Sequence, residues 1–290
     1  MGKGPVGAFP VKGKIVAVTG GGSGIGLSFA KICHSKGARV VIGDLKLTDQ
    51  GSEFVNSAKD GSVVFTKCDV TNWEDLKNVI TTSVKTWDDV PDVYCPCAGI
   101  FEPPWSNFWA DTEDKSYATM RINAEHPIKF TRLAFRALLG ADKKGVVCLV
   151  ASGAGLGGIY ISALYCASKH AVVGLGRSLG LADEEEGIKV VTMCPGLVTS
   201  PLWTDRQDDK AKMFGYRSDF KEHRPDNTPD EMAAGMVKLV EDDNFGGLVY
   251  SKRPDGDQVV NKGGKQDFLD VEGHYVQDIL AKERGVGWHA

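Results

Sequence analysis

The sequence predicts an α/β fold in which one doubly wound parallel sheet carries helices on both faces and is followed by a C-terminal extension. Short apolar, β-rich runs alternate with helix-spaced segments, a glycine cluster separates the first run from the first helix, and no internal repeat interrupts the pattern. The 290 residues suffice for one large domain with a 42% apolar share to fill its core. We expect a flexible arm over residues 1–12, the main domain over 13–255 and the extension over 256–290.

The first element is an apolar strand over residues 14–19, which runs directly into Gly20-Gly21-Gly22-Ser23-Gly24-Ile25-Gly26. A helix is predicted next, over residues 25–36, and it ends at Gly37. Glycines let the backbone approach a pyrophosphate closely, and a helix N-terminus offers free N–H groups to it. Strand, loop and helix together predict dinucleotide binding, with an ordinary glycine-rich loop as the alternative.

A second strand over residues 38–43 leads into Asp44, eighteen residues beyond Gly26. A carboxylate near this offset binds the 2′-hydroxyl of the adenosine ribose and repels a 2′-phosphate, so Asp44 predicts NAD. Ser23 in the glycine loop is neutral, whereas Lys46 is the nearby residue that favours NADP. A simple turn role for Asp44 is the alternative.

The later elements continue the alternation. Residues 161–181 read as a helix, 252–265 as a polar, glycine-rich loop, and 272–284 as a helix that docks on the main domain. Capping of a pocket or contact with another subunit is the alternative for the last residues, Trp288 to Ala290. The further predicted strands cover residues 62–67, 92–95, 145–150 and 188–193.

Tyr165 and Lys169 stand four residues apart in the predicted helix, and Ser152 precedes Tyr165 by thirteen positions. Side chains at i and i+4 lie on one helix face, so the ammonium and the phenol are expected to be neighbours. A free tyrosine has a pKa of about 10 and serves as a base near neutrality only where a positive charge favours the phenolate. The spacing thus predicts a proton-transfer pair, with a solvated surface pair as the alternative.

With these motifs in order, the chain resembles the short-chain dehydrogenase/reductase family, and most of all its NAD-dependent hydroxyprostaglandin-dehydrogenase-like group, over about residues 10 to 250. The resemblance implies a Rossmann-type fold and a tetrad of Asn123, Ser152, Tyr165 and Lys169, in which Asn123 supports a proton relay. It also implies that Asp69 contacts adenine and that the segment from Cys194 to Ser200 holds the nicotinamide carboxamide. The implied cofactor-binding residues are Gly20, Gly22, Ser23, Gly24, Ile25, Gly26, Asp44, Leu45, Cys68, Asp69, Val70, Cys97, Ala98, Gly99, Tyr165, Lys169, Pro195, Gly196, Val198 and Ser200.

Two positions depart from the family pattern. Cys97 stands where the family has an asparagine before Ala98-Gly99, which removes a polar tie at the centre of the sheet. Ser200 stands where the family commonly has threonine, and the neighbouring Thr199 is a possible substitute for it. The first change concerns local rigidity more than chemistry, and either hydroxyl in the second case can bind the carboxamide.

The resemblance implies hydride transfer between NAD and a hydrophobic secondary alcohol or ketone, with Tyr165 as general base or acid and Ser152 on the substrate oxygen. An NADP-linked biosynthetic ketoreductase and a non-catalytic nucleotide-binding scaffold are the alternatives. Ser152 lacks the Gly-x-Ser-x-Gly setting of a hydrolase nucleophile. Aromatic and apolar residues after the strands suggest a large or ring-containing substrate; they are Phe101, Trp105, Phe108, Trp109, Leu156, Ile159, Tyr160, Leu202, Trp203, Met213, Phe214 and Tyr216.

Composition argues against a nucleic-acid-binding protein and against a membrane-spanning protein. A formal charge of −4 gives no basic signal for nucleic acid, and no run of eighteen apolar residues predicts a membrane span. With no signal-peptide pattern, we expect a soluble, cytoplasmic protein whose seven cysteines are reduced and bind no metal. His126, His170 and His223 are expected to be structural or surface residues. The family resemblance also implies a homodimer or homotetramer built on the helices that carry Asn123 and Tyr165.

Overall fold

The computed structural model describes residues 3–111, 114, 116–204, 227–253, 256–264 and 274–289. Within these residues eight strands form one sheet in the order β3-β2-β1-β4-β5-β6-β7-β8, and only β8 runs antiparallel to its neighbour. This confirms the predicted doubly wound, mostly parallel sheet. The strands are β1 (Ile15–Thr19), β2 (Arg39–Asp44), β3 (Val63–Lys67), β4 (Val93–Pro96), β5 (Gly145–Val150), β6 (Ile188–Pro195), β7 (Val249–Lys252) and β8 (Gln258–Asn261).

Helices cover both faces of the sheet, and each face has its own buried apolar cluster. One cluster joins the sheet to α1 and α8, and the other joins it to α3, α4 and α5. The described α-helices of four or more residues are α1 (Gly24–Ser35), α2 (Asp49–Ser57), α3 (Trp73–Trp87), α4 (His126–Gly140), α5 (Ala163–Ser178), α6 (Ala182–Glu186), α7 (Pro201–Thr204), α8 (Pro229–Glu241) and α9 (His274–Ala281).

The sheet reverses its strand order between β1 and β4, which lie side by side although two strands separate them in sequence. Thr19 pairs with Pro96 at the carboxyl ends of these strands, so the glycine loop after β1 faces the Ala98-Gly99 segment after β4. In doubly wound sheets a ligand binds in the crevice outside the carboxyl ends of the strands at such a reversal. The fold therefore places the predicted cofactor loop at the expected crevice.

The segment predicted as a loop over residues 252–265 contains strand β8, so that prediction was wrong in part. Gln258–Asn261 pairs with β7 through an irregular antiparallel register. The strand is four residues long, and Val259 and Val260 are 47% and 41% exposed. A short edge strand of this kind lacks the buried apolar run that marked the central strands.

Residues 3–11 pack against the domain, and the flexibility predicted over residues 1–12 stays a prediction. Phe9 and Val11 are buried, and the backbone N–H of Phe9 donates to the carbonyl of Glu241 at 2.9 Å. The buried Lys189 ammonium donates to the carbonyl of Gly7 at 2.8 Å. Two apolar side chains and the Lys189 ammonium thus contribute the contacts between this segment and the domain.

The C-terminal segment docks on α3 and α4, in agreement with the predicted docking helix. The indole N–H of Trp288 donates to Thr81 Oγ1 at 3.1 Å, and Arg136 stacks on the Trp288 ring. Gly287 donates its backbone N–H to the carbonyl of Gly140 at 2.9 Å. Its helix α9 ends at Ala281, before the end predicted at residue 284.

Candidate active site

The glycine loop packs closely against the strand ends, at positions where a side chain would collide with the backbone. Gly20 has φ +71°, and a Cβ there would lie 2.5 Å from the Ala98 backbone. A Cβ at Gly26 would overlap the carbonyl oxygen of Gly20. Side chains at these positions would therefore force the loop and the first turn of α1 away from the strand ends. The arrangement fits a pyrophosphate at the N-terminus of α1, where free backbone N–H groups are available.

Asp44 ends β2 beside this loop and is tied to it. Its Oδ2 accepts the backbone N–H of Gly22 at 2.8 Å, and Thr48 Oγ1 donates to the carbonyl of Gly22 at 2.8 Å. A groove of about 550 Å³ opens beside Thr48, with Ser23 and Thr199 also in its lining. Asp44 is thus placed where a ribose hydroxyl would meet it if a dinucleotide lay on the glycine loop.

The remaining predicted cofactor residues lie at the carboxyl ends of neighbouring strands. Leu45 is 59% exposed beside Asp44, and the Asp69 carboxylate accepts the backbone N–H of Thr71 at 2.9 Å. On the opposite side Gly24 is close to Ser200, since a Cβ at Gly24 would lie 3.5 Å from Ser200 Cβ. Pro195 ends β6, and the backbone N–H of Gly196 donates to the Lys252 carbonyl. The other predicted residues differ in exposure: four are buried (Cys68, Val70, Val198 and Ser200), and four are partly buried (Ile25, Cys97, Ala98 and Gly99).

The structure brings Ser152, Tyr165 and Lys169 together. Ser152 follows β5, and its hydroxyl is hydrogen-bonded to the Tyr165 phenol. The Lys169 ammonium lies 5.8 Å from the centroid of the Tyr165 ring and donates to the carbonyl of Val150 at 3.1 Å. Tyr165 is 8% exposed and Lys169 is 5% exposed, so the pair is not a solvated surface pair.

Burial dominates the charge states of this pair. Burial raises the pKa of Tyr165 above its ordinary value, and the hydrogen bond with Ser152 opposes that rise. Burial lowers the pKa of Lys169 to about 8, while the thiols of Cys97 and Cys194 oppose that fall. Lys169 therefore remains mostly protonated at pH 7. The direction for Tyr165 is opposite to that expected from a neighbouring cation, because desolvation of the phenol is the largest influence on its pKa.

Asn123 lies in a π-helical turn, Arg121–Glu125, that precedes α4. Its Oδ1 accepts the backbone N–H of Ile100 at 2.9 Å, and its Nδ2 donates to the carbonyl of Ile100 at 2.8 Å and to Ser168 Oγ at 3.3 Å. A Cβ at Gly99 would lie 3.4 Å from Asn123 Oδ1 and 3.7 Å from Lys169 Nζ. Asn123 thus joins the segment after β4 to the helix of Tyr165, and its role in a proton relay stays a prediction.

His126 is fully buried and links this region to the glycine loop. Its Nε2 lies 2.8 Å from Thr19 Oγ1, and its Nδ1 lies 3.1 Å from the carbonyl of Ile122. Burial lowers the pKa of His126 to about 3, so the ring is neutral: Nδ1–H donates to Ile122, and Nε2 accepts from the Thr19 hydroxyl. Together with the bond from Cys97 N–H to the Thr19 carbonyl, this contact ties the sheet centre where the family asparagine is replaced by Cys97.

One aromatic ring packs on the Tyr165 phenol, and a further group of aromatic side chains lies on the adjoining loops. The Phe101 ring packs on Tyr165 with centroids 5.0 Å apart. Trp109 spans to the loop before α5: its indole N–H donates to the carbonyl of Tyr160 at 3.1 Å, and the two rings lie 4.8 Å apart. Trp105 and Phe108 are exposed nearby, at 69% and 48%. Four further residues predicted for this region lie outside the described part of the chain: Met213, Phe214, Tyr216 and the side chain of Trp203. His223, expected to be a structural or surface residue, also lies outside it.

Sequence reasoning missed two residues here, Glu102 and His126. Glu102 is 1% exposed and accepts hydrogen bonds from three backbone N–H groups. An acid between Phe101 and Pro103 in an otherwise apolar stretch was the available signal for Glu102. His126, expected only to be structural or at the surface, is structural, but its bond to Thr19 had no local sequence signal.

Disulfides, metal-ligand clusters and membrane-spanning helices are all absent from the described residues. All seven cysteines are free thiols, and no cluster of three or more potential metal ligands was found in the described ranges. No helix in that part of the chain combines the length and apolar character needed to cross a membrane.

Comparisons with known proteins give a consistent result. Residues 14–211 match the family model of short chain dehydrogenases. The chain is 28% identical over 236 residues to 2,5-dichloro-2,5-cyclohexadiene-1,4-diol dehydrogenase of Sphingobium indicum, covering 80% of this chain and 91% of that one. It is 28% identical to human 15-hydroxyprostaglandin dehydrogenase [NAD(+)], covering 82% and 90%. It is 31% identical to short-chain dehydrogenase reductase 3a of Arabidopsis thaliana, covering 69% and 77%.

Proposed function

We propose, from the premise that this chain belongs to the short-chain dehydrogenase family and is an oxidoreductase with a nicotinamide cofactor, that it transfers a hydride between NAD and a hydrophobic secondary alcohol or ketone. The convergence of Ser152, Tyr165 and Lys169 at the crevice beside the glycine loop carries this proposal. The phenol is close to the Ser152 hydroxyl and to the buried Lys169 ammonium, and the Phe101 ring packs on it.

Each of the three polar groups has a defined part in the proposed reaction. Bound NAD would supply the carbon that accepts the hydride. Tyr165 takes the hydroxyl proton of the alcohol, and Ser152 holds the same oxygen. Lys169 keeps a positive charge near the phenolate and binds the cofactor ribose. Burial raises the pKa of Tyr165, and the positive charges of Lys169 and of the nicotinamide ring would together offset that rise. In reduction the same groups act in reverse, with Tyr165 as the acid.

The choice of NAD is supported by Asp44. Its carboxylate is held against Gly22 N–H, so a 2′-phosphate on the adenosine ribose would meet a fixed negative charge. Lys46 lies two residues further on, and its backbone N–H is 3.4 Å from the other Asp44 oxygen. Lys46 favours the alternative, an NADP-linked ketoreductase.

The substrate class is supported by the aromatic wall and by the relatives. This wall consists of Phe101, which packs on the Tyr165 ring, and of the paired rings of Trp109 and Tyr160; such flat apolar faces suit a substrate with a ring. Two relatives carry names that specify a cyclohexadiene diol and a hydroxyprostaglandin, and one of these names specifies NAD(+). We therefore infer a hydrophobic, ring-containing secondary alcohol.

Titration calorimetry with NAD, NADH, NADP and NADPH tests the cofactor assignment. We expect NAD(H) to bind at least tenfold more tightly than NADP(H), equivalent to about 1.4 kcal/mol. Tighter binding of NADP(H) would overturn the role of Asp44 and favour the ketoreductase. Binding of none of the four would favour a non-catalytic scaffold.

We also propose a homodimer or homotetramer in the cytoplasm. Ala167 and Gly174 are exposed on α5, and small side chains permit close approach of a second helix. Gly176 does not belong to this face, because it packs against Thr192 of its own chain. Light scattering of the purified protein tests the assembly: a mass of one chain would contradict it.

A further inference from the structure

The helix that carries Tyr165 has no cap of its own. Ser162 occupies the N-cap position of α5, yet its side chain forms no capping hydrogen bond, and its buried hydroxyl has no partner among the described residues. An N-cap serine normally accepts the backbone N–H of the second or third helical residue. In α5 those residues are Leu164 and Tyr165, so their N–H groups need another acceptor.

Glu102 provides that acceptor from a distant part of the chain. Its Oε2 accepts the backbone N–H groups of Leu164 at 3.1 Å and Tyr165 at 3.2 Å. Its Oε1 accepts the N–H of Phe108 at 2.9 Å. Within the described residues the partners of this carboxylate are backbone amides, and the positive end of the helix dipole stabilises its charge.

The position of Tyr165 depends on this contact and on its neighbours. The Tyr165 N–H donates to Glu102, its carbonyl accepts the Ser168 hydroxyl at 2.7 Å, and its ring packs on Phe101. Glu102 and Phe101 are adjacent in sequence, so one short segment fixes both the backbone and the ring of Tyr165. The same carboxylate also holds Phe108, next to Trp109 of the aromatic wall.

We propose that Glu102 is a positioning residue that caps α5 and fixes the Tyr165 phenol against Ser152, while anchoring the substrate-facing loop to the same point. Its side chain touches neither the Ser152 hydroxyl nor the Lys169 ammonium in the contacts described above, so it acts through the Tyr165 backbone. The kinetic consequence rests on the proposed function, whereas the cap itself does not.

Glu102→Gln is the direct test, with Glu231→Gln as the matched control. Glutamine keeps the volume but has one acceptor oxygen and no charge. Glu231 belongs to the capping box of α8, where it accepts the Thr228 N–H at 2.7 Å, so its replacement also weakens a helix cap but away from Tyr165. Should Glu102→Gln fold too poorly for kinetics, Glu102→Asp keeps the charge on a side chain one methylene shorter and allows the same comparison.

Hydrogen exchange of the peptide spanning residues 162–168 measures the cap without any enzymatic activity. We expect at least tenfold faster exchange of this peptide in Glu102→Gln, and no change there in Glu231→Gln. Unchanged exchange in Glu102→Gln overturns the cap. Should the wild-type protein oxidise no alcohol in a broad panel, the proposed function fails while this measurement still decides the cap.

Kinetics then separate positioning from a simple charge effect. We expect kcat of Glu102→Gln to fall at least tenfold, with the NADH dissociation constant within threefold of the wild-type value. A phenol displaced from Ser152 loses the bond that opposes the burial-raised pKa of Tyr165, so the apparent pKa of alcohol oxidation should rise. Removal of a negative charge alone would lower that pKa. A lowered pKa, or kcat within twofold of the wild type, overturns the positioning role.

Discussion

The hydroxyl of Thr19, at the end of β1, lies 2.8 Å from Nε2 of the buried His126, beside the π-helical turn of Asn123. This hydrogen bond joins β1, which leads into the glycine loop, to the start of helix α4. It requires a neutral imidazole, because Nε2 must accept from the threonine while Nδ1–H donates to Ile122.

The Thr19–His126 bond predicts acid sensitivity. His126 has a folded pKa of about 3 against an ordinary value of 6.5, so the unfolded chain binds this proton more readily. The free energy of unfolding therefore decreases as pH falls from 6.5 towards 3, and the contribution of His126 is fully present above pH 6.5. Between pH 7.5 and pH 4 we expect a loss of about 3 kcal/mol from this residue.

Denaturant unfolding of wild type and His126→Gln across this pH range measures the effect. Glutamine keeps a neutral polar side chain that does not titrate, so the difference between the two curves isolates the histidine from the carboxylates. We expect the variant to be less stable at pH 7.5 and to lose less stability on acidification. Parallel curves would contradict a buried, neutral His126.

The sequence was most informative where burial is continuous. The runs that form β1, β2 and β5 are apolar on both faces because helices cover both, and their predicted bounds agree with the structure to within one residue. The exposed edge strand β8 carries no such signal. The convergence of Tyr165 and Lys169 also followed from helical spacing alone.

Contacts between distant segments could not be predicted in the same way. Glu102 and its α5 amides are 62 and 63 residues apart, and Thr19 and His126 are 107 apart. A cap within one helix has a local sequence signature, but a cap supplied from another loop has none. The burial-driven rise in the pKa of Tyr165 likewise depends on packing that no spacing reveals.

Gly26→Ala should weaken cofactor binding. The added Cβ would overlap the Gly20 carbonyl, so either the loop or the first turn of α1 must shift, at a cost of about 1–3 kcal/mol. We expect at least a tenfold weaker NADH affinity in fluorescence titration. Gly157→Ala is the control, because a Cβ there has no neighbour within 4 Å. Equal affinities in the two variants would count against the glycine loop as the pyrophosphate site.

Asp44→Asn tests charge as the basis of cofactor selection. Asparagine keeps an oxygen for the Gly22 N–H but removes the negative charge that opposes a 2′-phosphate. We expect the ratio of kcat/KM for NADH over NADPH to fall at least tenfold. Glu53→Gln removes an equal charge from an exposed position on α2 and should leave the ratio unchanged. A ratio that stays constant in Asp44→Asn would assign selectivity to other residues.

Trp109→Ala tests the aromatic wall. The substitution removes both the ring contact with Tyr160 and the indole hydrogen bond to its carbonyl, whereas Trp109→Phe removes only the hydrogen bond. For a ring-containing secondary alcohol we expect KM to rise about tenfold in the alanine variant and less in the phenylalanine variant. A small acyclic alcohol serves as the control substrate. An equal rise for both substrates would argue against ring recognition by this wall.

The most direct test of the account is the turnover of Tyr165→Phe, measured with a ring-containing secondary alcohol and NAD and compared with its NADH affinity. The variant keeps the ring that packs on Phe101 but loses the hydroxyl that contacts Ser152. We predict that kcat falls at least a thousandfold while the NADH dissociation constant stays within threefold of the wild-type value. Turnover within tenfold of the wild-type rate would contradict Tyr165 as the proton-transfer group.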